Sequence, residues 1–415
     1  MNTLTLCEKL LTRGESNLVD GWKASKLGKI SKIARGKFSH RPRNDPRFFG
    51  GSTPFIQTGD IVAGNGYINK HSQTLNEQGL KVSKVFPAGT IMMAIAANIG
   101  DCAINLYDCA CTDSVVGITP STAHSNKYLN FYLNNRKDVF RYIAPEGAQK
   151  NINVEFLESL PIVTPPLPEQ RKIAEILGTW DRAIETQQQL INSLTRRKKA
   201  LMQQLLTGKT RLPGFEGAWK LIKIGDLFEE IKRPVNWNEG NLYDLVSVRR
   251  RSGGFFFRTP LYGREIKTKK MFITRNGDFV ISKMQVVHGA MAMTPPKFHE
   301  GHVSGSYITL IPKDPSIFHV PFFDWLSRTR RLYHLALISS HGVIIEKMTF
   351  VLKDFYNNSI SIPPNIEEQQ AITNILATCD DELALHTQHL DSLRQQKRGL
   401  MQQLLTGKIR VITYE

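Results

Sequence analysis

The stretch Leu201-Met-Gln-Gln-Leu-Leu-Thr-Gly-Lys209 returns letter for letter as Leu400-Met-Gln-Gln-Leu-Leu-Thr-Gly-Lys408, 199 positions later. A nine-residue identity does not recur by chance in 415 residues, and its surroundings extend it. Glu169–Lys209 aligned with Glu368–Lys408 at the same offset gives 20 identities in 41 positions without a gap. The chain is therefore built from two halves. Each copy follows a proline pair, Pro165-Pro166 or Pro363-Pro364, and each ends in Thr-Gly-Lys. Prolines break a preceding helix and tolerate a first turn, while Gly208 and Gly407 stand where left-handed C-caps belong. Asn365 followed by Glu368 has the spacing of a capping box. Some forty residues without an internal proline lie between these signals, which predicts one long helix per copy.

The apolar pattern of each helix is a narrow seam. Ile173, Leu177, Trp180, Ile184, Gln187, Ile191, Leu194, Lys198, Leu201 and Leu205 alternate steps of four and three. Ile372, Leu376, Cys379, Leu383, His386, Leu390, Leu393, Lys397, Leu400 and Leu404 do the same. A 3.5-residue repeat serves a partner helix, and a polar group on such a seam fixes register at some cost in stability. The two interruptions fall at matching positions, Gln187 with His386 and Lys198 with Lys397. At about 1.5 Å per residue each helix is on the order of 55–60 Å long. The simplest arrangement pairs the helices antiparallel within one chain about a pseudo-two-fold axis; pairing with another molecule is the alternative.

The segments between the helices match more faintly. Trp22-Lys-Ala-Ser-Lys-Leu-Gly28 answers Trp219-Lys-Leu-Ile-Lys-Ile-Gly225, Gly89–Met93 answers Gly277–Ile281, and Ser114–Pro120 answers Ser306–Pro312. Short β-type runs bounded by Gly and Pro predict compact mixed α/β domains with divergent loops. The expected fold is α+β: two α/β domains separated by two long helices.

Composition narrows the function. Lys and Arg number 54 against 37 Asp and Glu, a net charge of +17, which favours a polyanionic partner. A generally basic solvated surface is the bland alternative. The longest apolar run, Ile91–Ala97, is too short for a bilayer, and Met1–Asn17 lacks a signal-peptide core, so cytoplasmic residence is the default. The five cysteines read as small buried residues, and Cys109-x-Cys111 has no second ligand pair to complete a zinc site. No catalytic constellation stands out. Gln203 replaces the first glycine that a Walker A motif ending at Gly208-Lys209-Thr210 requires. Thr294-Pro-Pro-Lys297 lacks the amide and aromatic that hold a flipped adenine.

The whole layout resembles the specificity subunit of type I restriction–modification enzymes. The resemblance rests on Pro165-Pro-Leu-Pro-Glu-Gln-Arg-Lys-Ile-Ala174, on both Leu-Leu-Thr-Gly-Lys ends and on Arg211-Leu-Pro-Gly-Phe215 leading to Trp219. Phe55-Ile-Gln-Thr-Gly-Asp-Ile61 and Gly147-Ala-Gln-Lys-Asn-Ile152 add to it. It implies an N-terminal segment (1–20), target recognition domains over 21–164 and 212–362, and conserved spacer helices over 165–211 and 363–415. It further implies double-stranded DNA as ligand, no membrane, and two methylation and two restriction subunits as partners. S-adenosylmethionine, ATP and Mg would then belong to those partners, with no cofactor and no metal in this chain. Rival readings are an orphan DNA-binding or partner-exchange subunit, and a coiled-coil scaffold without a nucleic-acid role.

If the chain reads DNA, cations supply phosphate contacts and loop amides supply base contacts. The candidates in the first domain are Gln57, Thr58, Lys70, Asn98, Gln149, Lys150 and Asn151. In the second they are Arg249, Arg250, Arg251, Lys283, His341 and Lys347. There Ser339–Ile344 stands in place of the Gly147–Ile152 pattern. Phe255-Phe256-Phe257 is expected as a core strand rather than a stacking platform. The cluster Arg196–Lys199 fits either DNA or a methylation subunit.

Overall fold

The computed structural model describes residues 19–143 and 152–411. Two compact units divide the chain, one formed by residues 1–188 with 388–415 and the other by 189–387. Both cuts fall inside the long helices. Each unit thus holds one globular head, the N-terminal half of one helix and the C-terminal half of the other.

The two long helices are Leu167–Leu205 and Ile366–Leu404, each 39 residues. Gly208 and Gly407 end them with φ of +69° and +71°, the left-handed conformation a side chain would resist. The capping box of the second helix forms by half. Asn365 Oδ1 accepts from the Glu367 amide at 2.8 Å, but the Glu368 carboxylate turns away to bind Arg211. A bidentate guanidinium outcompetes a single backbone N–H for a carboxylate. Every seam position, from Ile173 to Leu205 and from Ile372 to Leu404, is buried or half-buried. Leu190 and Leu385, which lie off the seam, are exposed.

Within each unit the paired helix segments run antiparallel. In the first unit Lys397 Nζ meets Asp181 Oδ1 at 2.5 Å, and Arg410, just past the second helix, clasps Glu169 in the first turn of the first helix (2.8 and 2.9 Å). In the second unit Lys198 meets Asp380, Arg197 meets Glu382, and Arg211 clasps Glu368 at 2.6 and 2.7 Å. The lysine interruptions are both partnered. Each reaches a carboxylate on the facing helix and also lies over a ring of its own unit's head, Lys397 over Phe131 (5.1 Å) and Lys198 over Trp325 (4.9 Å).

The heads share a frame. In the first, Lys23–Lys26 pairs antiparallel with Pro161–Thr164, and a five-stranded sheet runs Ser31–Arg35, Val115–Pro120, Ile91–Ala94, Cys102–Asn105, Tyr67–Ile68. In the second, Lys220–Lys223 pairs with Ser359–Ile362, and a four-stranded sheet runs Phe228–Glu230, Tyr307–Pro312, Phe279–Ser282, Met291–Met293. The faint repeats in the sequence are these strands. Gly28 and Gly225 mark the same close crossing: a Cβ at either would meet Glu158 Cβ at 2.9 Å or Tyr356 Cβ at 2.8 Å.

The central strand is buried on both faces, so it reads as a continuous apolar run rather than an alternation. Its residues still divide by parity. Ile91 and Met93 join Ile173, Leu177, Leu404 and Leu405 in one core, while Met92 and Ala94 join Ile56, Ile61 and Phe86 in a second. Phe279 and Ile281 likewise pack with Leu205, Leu206, Ile372 and Leu376, whereas Val280 packs with Val246, Phe255 and Val303. One face of each sheet belongs to the helices and the other to the head alone.

No described helix is long and apolar enough to cross a membrane. Among the described residues no group of three or more His, Cys, Asp or Glu is placed to hold a metal ion. Cys102, Cys109, Cys111 and Cys379 are free and buried. Burial raises the thiol of Cys109 to about 11 and lifts those of Cys102 and Cys111 above their ordinary value, so all three stay protonated and unreactive at neutral pH.

Candidate nucleic-acid interface

In the second unit the segment Lys283–Ala290, between strands Phe279–Ser282 and Met291–Met293, gathers most of the candidate residues. The Arg249–Gly254 turn joins it from one side: the Arg251 amide donates to His288 O (2.7 Å) and the Ser252 amide to Gly289 O (3.1 Å). Arg251 and Ser252 both sit at positive φ, +57° and +52°, and Ser252 Oγ bonds the Tyr333 hydroxyl at 2.8 Å. The turn is therefore held in one shape. Arg249, Arg250 and Arg251 are exposed, and none pairs with a described carboxylate. Arg249 stacks on Phe256 at 4.7 Å.

A hairpin joins the same segment from the other side. Ser340–His341 pairs antiparallel with Thr349–Phe350, and the Phe350 amide donates to Lys283 O at 3.0 Å. This hairpin carries His341 and Lys347. Lys347 is exposed and unpaired, whereas His341 Nε2 sits 2.6 Å from Asp354 Oδ2 and the Lys283 ammonium donates to Gly305 O at 3.1 Å. Those two side chains already serve the fold. The structure thus brings Arg249, Arg250, Arg251, Lys283, His341 and Lys347 onto connected loops, with the arginine run and Lys347 carrying the free charge.

The first unit repeats part of this plan. The Ile152 amide donates to Ile95 O at 3.2 Å, matching Phe350 to Lys283. Ile152 and Phe350 each stand two residues before a short helix, Val154–Ser159 and Leu352–Asn357. This corrects the sequence correspondence: Phe350, not Ile344, stands in the place of Ile152, because the connection in the second head is longer. Gln149, Lys150 and Asn151 lie outside the described residues.

Gln57 and Thr58 open the helix Thr58–Ala63, where the Gln57 amide N–H donates to Asp60 Oδ2 at 2.8 Å. The Gln57 side chain donates to Gln73 Oε1 (2.8 Å) and Ser72 Oγ donates to Asp60 (3.1 Å), which ties this turn to the segment bearing exposed Lys70. Asn98 is half-buried on the separate loop between Ile91–Ala94 and Cys102–Asn105, next to Ala97 at φ +60°. No hydrogen bond among the described residues joins it to the Gln57 group.

Of the phenylalanine run, Phe255 enters the core as expected, but Phe257 is exposed. Lys297 lies 5.9 Å from the Phe257 ring and Arg264 lies 4.8 Å from Tyr262, so cations cover exposed aromatic faces here too. Sequence reasoning missed Lys297 and Arg264. The interleaving of basic and aromatic residues from Arg249 to Arg264 was the signal for Arg264, and Lys297 lies outside it. In the Arg196–Lys199 cluster, Arg197 and Lys198 are committed to the facing helix.

The family model described as type I restriction modification DNA specificity domain matches the chain twice, at residues 19–196 and 216–395. The chain belongs to that family. A putative type I restriction enzyme MjaX specificity subunit from Methanocaldococcus jannaschii is 26% identical over 305 residues, spanning 69% of this chain and 68% of its own. The MjaVIII specificity subunit of the same organism is 24% identical over 317 residues, spanning 68% and 70%. Among solved structures, a type I restriction–modification S subunit from M. genitalium superposes with a TM-score of 0.56 at 15% identity, covering 96% of this chain and 99% of that one. An HsdS subunit from Thermoanaerobacter tengcongensis gives 0.53 at 17% identity, covering 96% and 100%. These superpositions share the fold: two recognition domains and paired long helices. The chain is a type I specificity subunit carrying two DNA-recognition domains.

Proposed function

We propose that this chain recognises an asymmetric, bipartite DNA site, one half-site per head, and that the paired helices set an unspecified spacer between them. The observation that supports this most is the two-sided sheet: a helix-facing layer common to both heads and an outer layer peculiar to each. Heads with different outer layers read different half-sites, and rods of fixed length count base pairs without reading them. At 39 residues each helix is about 58 Å long, long enough to separate half-sites one helical turn apart, roughly 34 Å. Phosphate contacts come from Arg249–Arg251, Lys347 and Lys70, and base contacts from the Gln57–Thr58 turn, Asn98 and the Gln149–Asn151 loop. Lys283 and His341 position the loops of the second head.

In this proposal catalysis lies elsewhere. Methylation subunits using S-adenosylmethionine, and restriction subunits using ATP and Mg, assemble on the chain as two of each. The test is to insert one heptad into each long helix, which preserves the seam and adds about 10 Å, or about three base pairs of spacer. Sequencing of methylated bases in a host carrying the chain and its partners should show unchanged half-sites with a longer gap. An unchanged gap would refute the ruler.

A further inference from the structure

The most exposed large apolar residue of the second head, Val343, sits at the tip of the Ser340–Phe350 hairpin, with Ile344 and Ile345 beside it. Val343 is fully exposed at 103%, and Ile344 and Ile345 are each 51% exposed. Three consecutive β-branched residues at a loop tip are a liability in water unless a partner covers them. The base beneath them is firm. Phe350 is buried against Phe355 at 5.2 Å, its amide binds Lys283 O, and His341 pairs with Asp354. Gly342, at φ +151°, lets the chain leave the strand where a Cβ would lie 3.0 Å from Met348 Cα. The tip is apolar and mounted on a hydrogen-bonded stem.

Its surroundings are cationic. Lys347 follows it directly, the stem is bonded to the segment that also holds the Arg249–Arg251 turn, and Glu346 is the one carboxylate within residues 342–348. An apolar tip among exposed cations matches the surface that a nucleic acid presents to a wedge: anionic backbone on either side and an apolar base stack between. An acidic groove on a protein would meet the cations but would not need rigid β-branched side chains aimed outward. Resting on the DNA-recognition reading above, we propose that Val343, Ile344 and Ile345 form a wedge that enters a base step of the second half-site and unstacks it. Specificity at that step then comes from the ease of unstacking, greatest at flexible pyrimidine–purine steps, rather than from base-edge hydrogen bonds. In the first head the eight residues before Ile152, Ala144–Asn151, include no β-branched residue.

The test begins by enriching duplexes from a random pool on the full-length chain. 2-Aminopurine is then placed at successive steps of the second half-site. The triple variant Val343→Ser, Ile344→Ser, Ile345→Ser alters only exposed side chains, so its melting temperature should stay put. Wild type should brighten 2-aminopurine at one step. The variant should lose that signal and about tenfold in affinity while keeping the salt slope, since no phosphate contact is removed. Lys347→Gln should do the reverse, flattening the slope and keeping the signal. Unchanged affinity or fluorescence in the triple variant would overturn the wedge, as would intact duplex binding with lost capture of a methylation subunit. A pool yielding no enriched duplex would remove the recognition reading itself.

Discussion

The two heads differ least where they touch the helices and most where they do not. Ile91 and Met93 in one, and Phe279 and Ile281 in the other, face helix residues of the same repeat. On the opposite face the first head builds a four-stranded sheet that includes a parallel pair, Phe55–Ile56 beside Ala110–Cys111. The second head builds separate two-stranded ribbons, Val246–Val248 with Phe255–Phe257 and Met271–Thr274 with Gly301–Ser304. A strand buried on both sides insulates one layer from the other. The outer layer can vary while the helix contact is kept.

The clasps at the helix ends test how equal the two halves are. Glu368 and Glu169 are almost fully buried, each held by one arginine, so Arg211→Ala or Arg410→Ala leaves a buried carboxylate without its cation. Arg211→Ala should cost about 3 kcal/mol or more, and Arg410→Ala less, because the Arg410 guanidinium is the more exposed of the two. Calorimetric melting of both variants checks the ranking; equal losses would mean that exposure does not distinguish the clasps.

Next come the free cations, which the two heads do not share equally. Replacing Arg249, Arg250 and Arg251 with alanine should flatten the slope of log affinity against log salt by up to about 2.7, against about 0.9 for Lys70→Ala. Titrations of the enriched duplex across salt concentrations measure both, and identical slopes would assign the arginine turn to plain surface.

The seam lysines sharpen the comparison on a smaller scale. Lys198→Met and Lys397→Met each remove a partly exposed ion pair and a ring contact while keeping apolar bulk, and each should cost about 1 kcal/mol. Denaturant titration reads the loss.

The smallest effect is the dependence on acid. His124 Nδ1 accepts from Gln170 Nε2 at 3.2 Å, and the His319 backbone amide donates to Gln369 Oε1 at 2.9 Å; burial lowers the imidazole pKa of both. The neutral form is favoured in the folded state, so these two histidines are silent above about pH 6.5, where the unfolded chain is neutral too. As pH falls below that value the unfolded chain gains protons first, and stability drops until the folded histidines also protonate. Melting temperature followed from pH 7 to 5 should fall less steeply in His124→Asn and His319→Asn, by similar amounts in the two variants.

The long helices were legible because their determinants are local and periodic: a proline pair, a 3.5-residue seam, a glycine cap. The shared strands were legible as faint repeats for the same reason. The carboxylates that answer the seam lysines were visible in principle, since Asp181 and Asp380 stand 199 apart as Lys198 and Lys397 do. Other features had no local signal. Nothing near Glu368 announced that Arg211, 157 positions earlier, would take its carboxylate from the capping box. Likewise Phe350 takes the place of Ile152 only because the longer connection is paid out in a hairpin.

What the sequence determined alone is the plan: two copies of one helix, two variants of one sheet and an excess of positive charge. Tertiary structure decided which loops meet, which cations remain free and which apolar residues are left in water. Periodicity and capping act over a few residues and survive any rearrangement of the rest. A surface is assembled from segments a hundred residues apart, and only packing determines which side chains it leaves unpartnered.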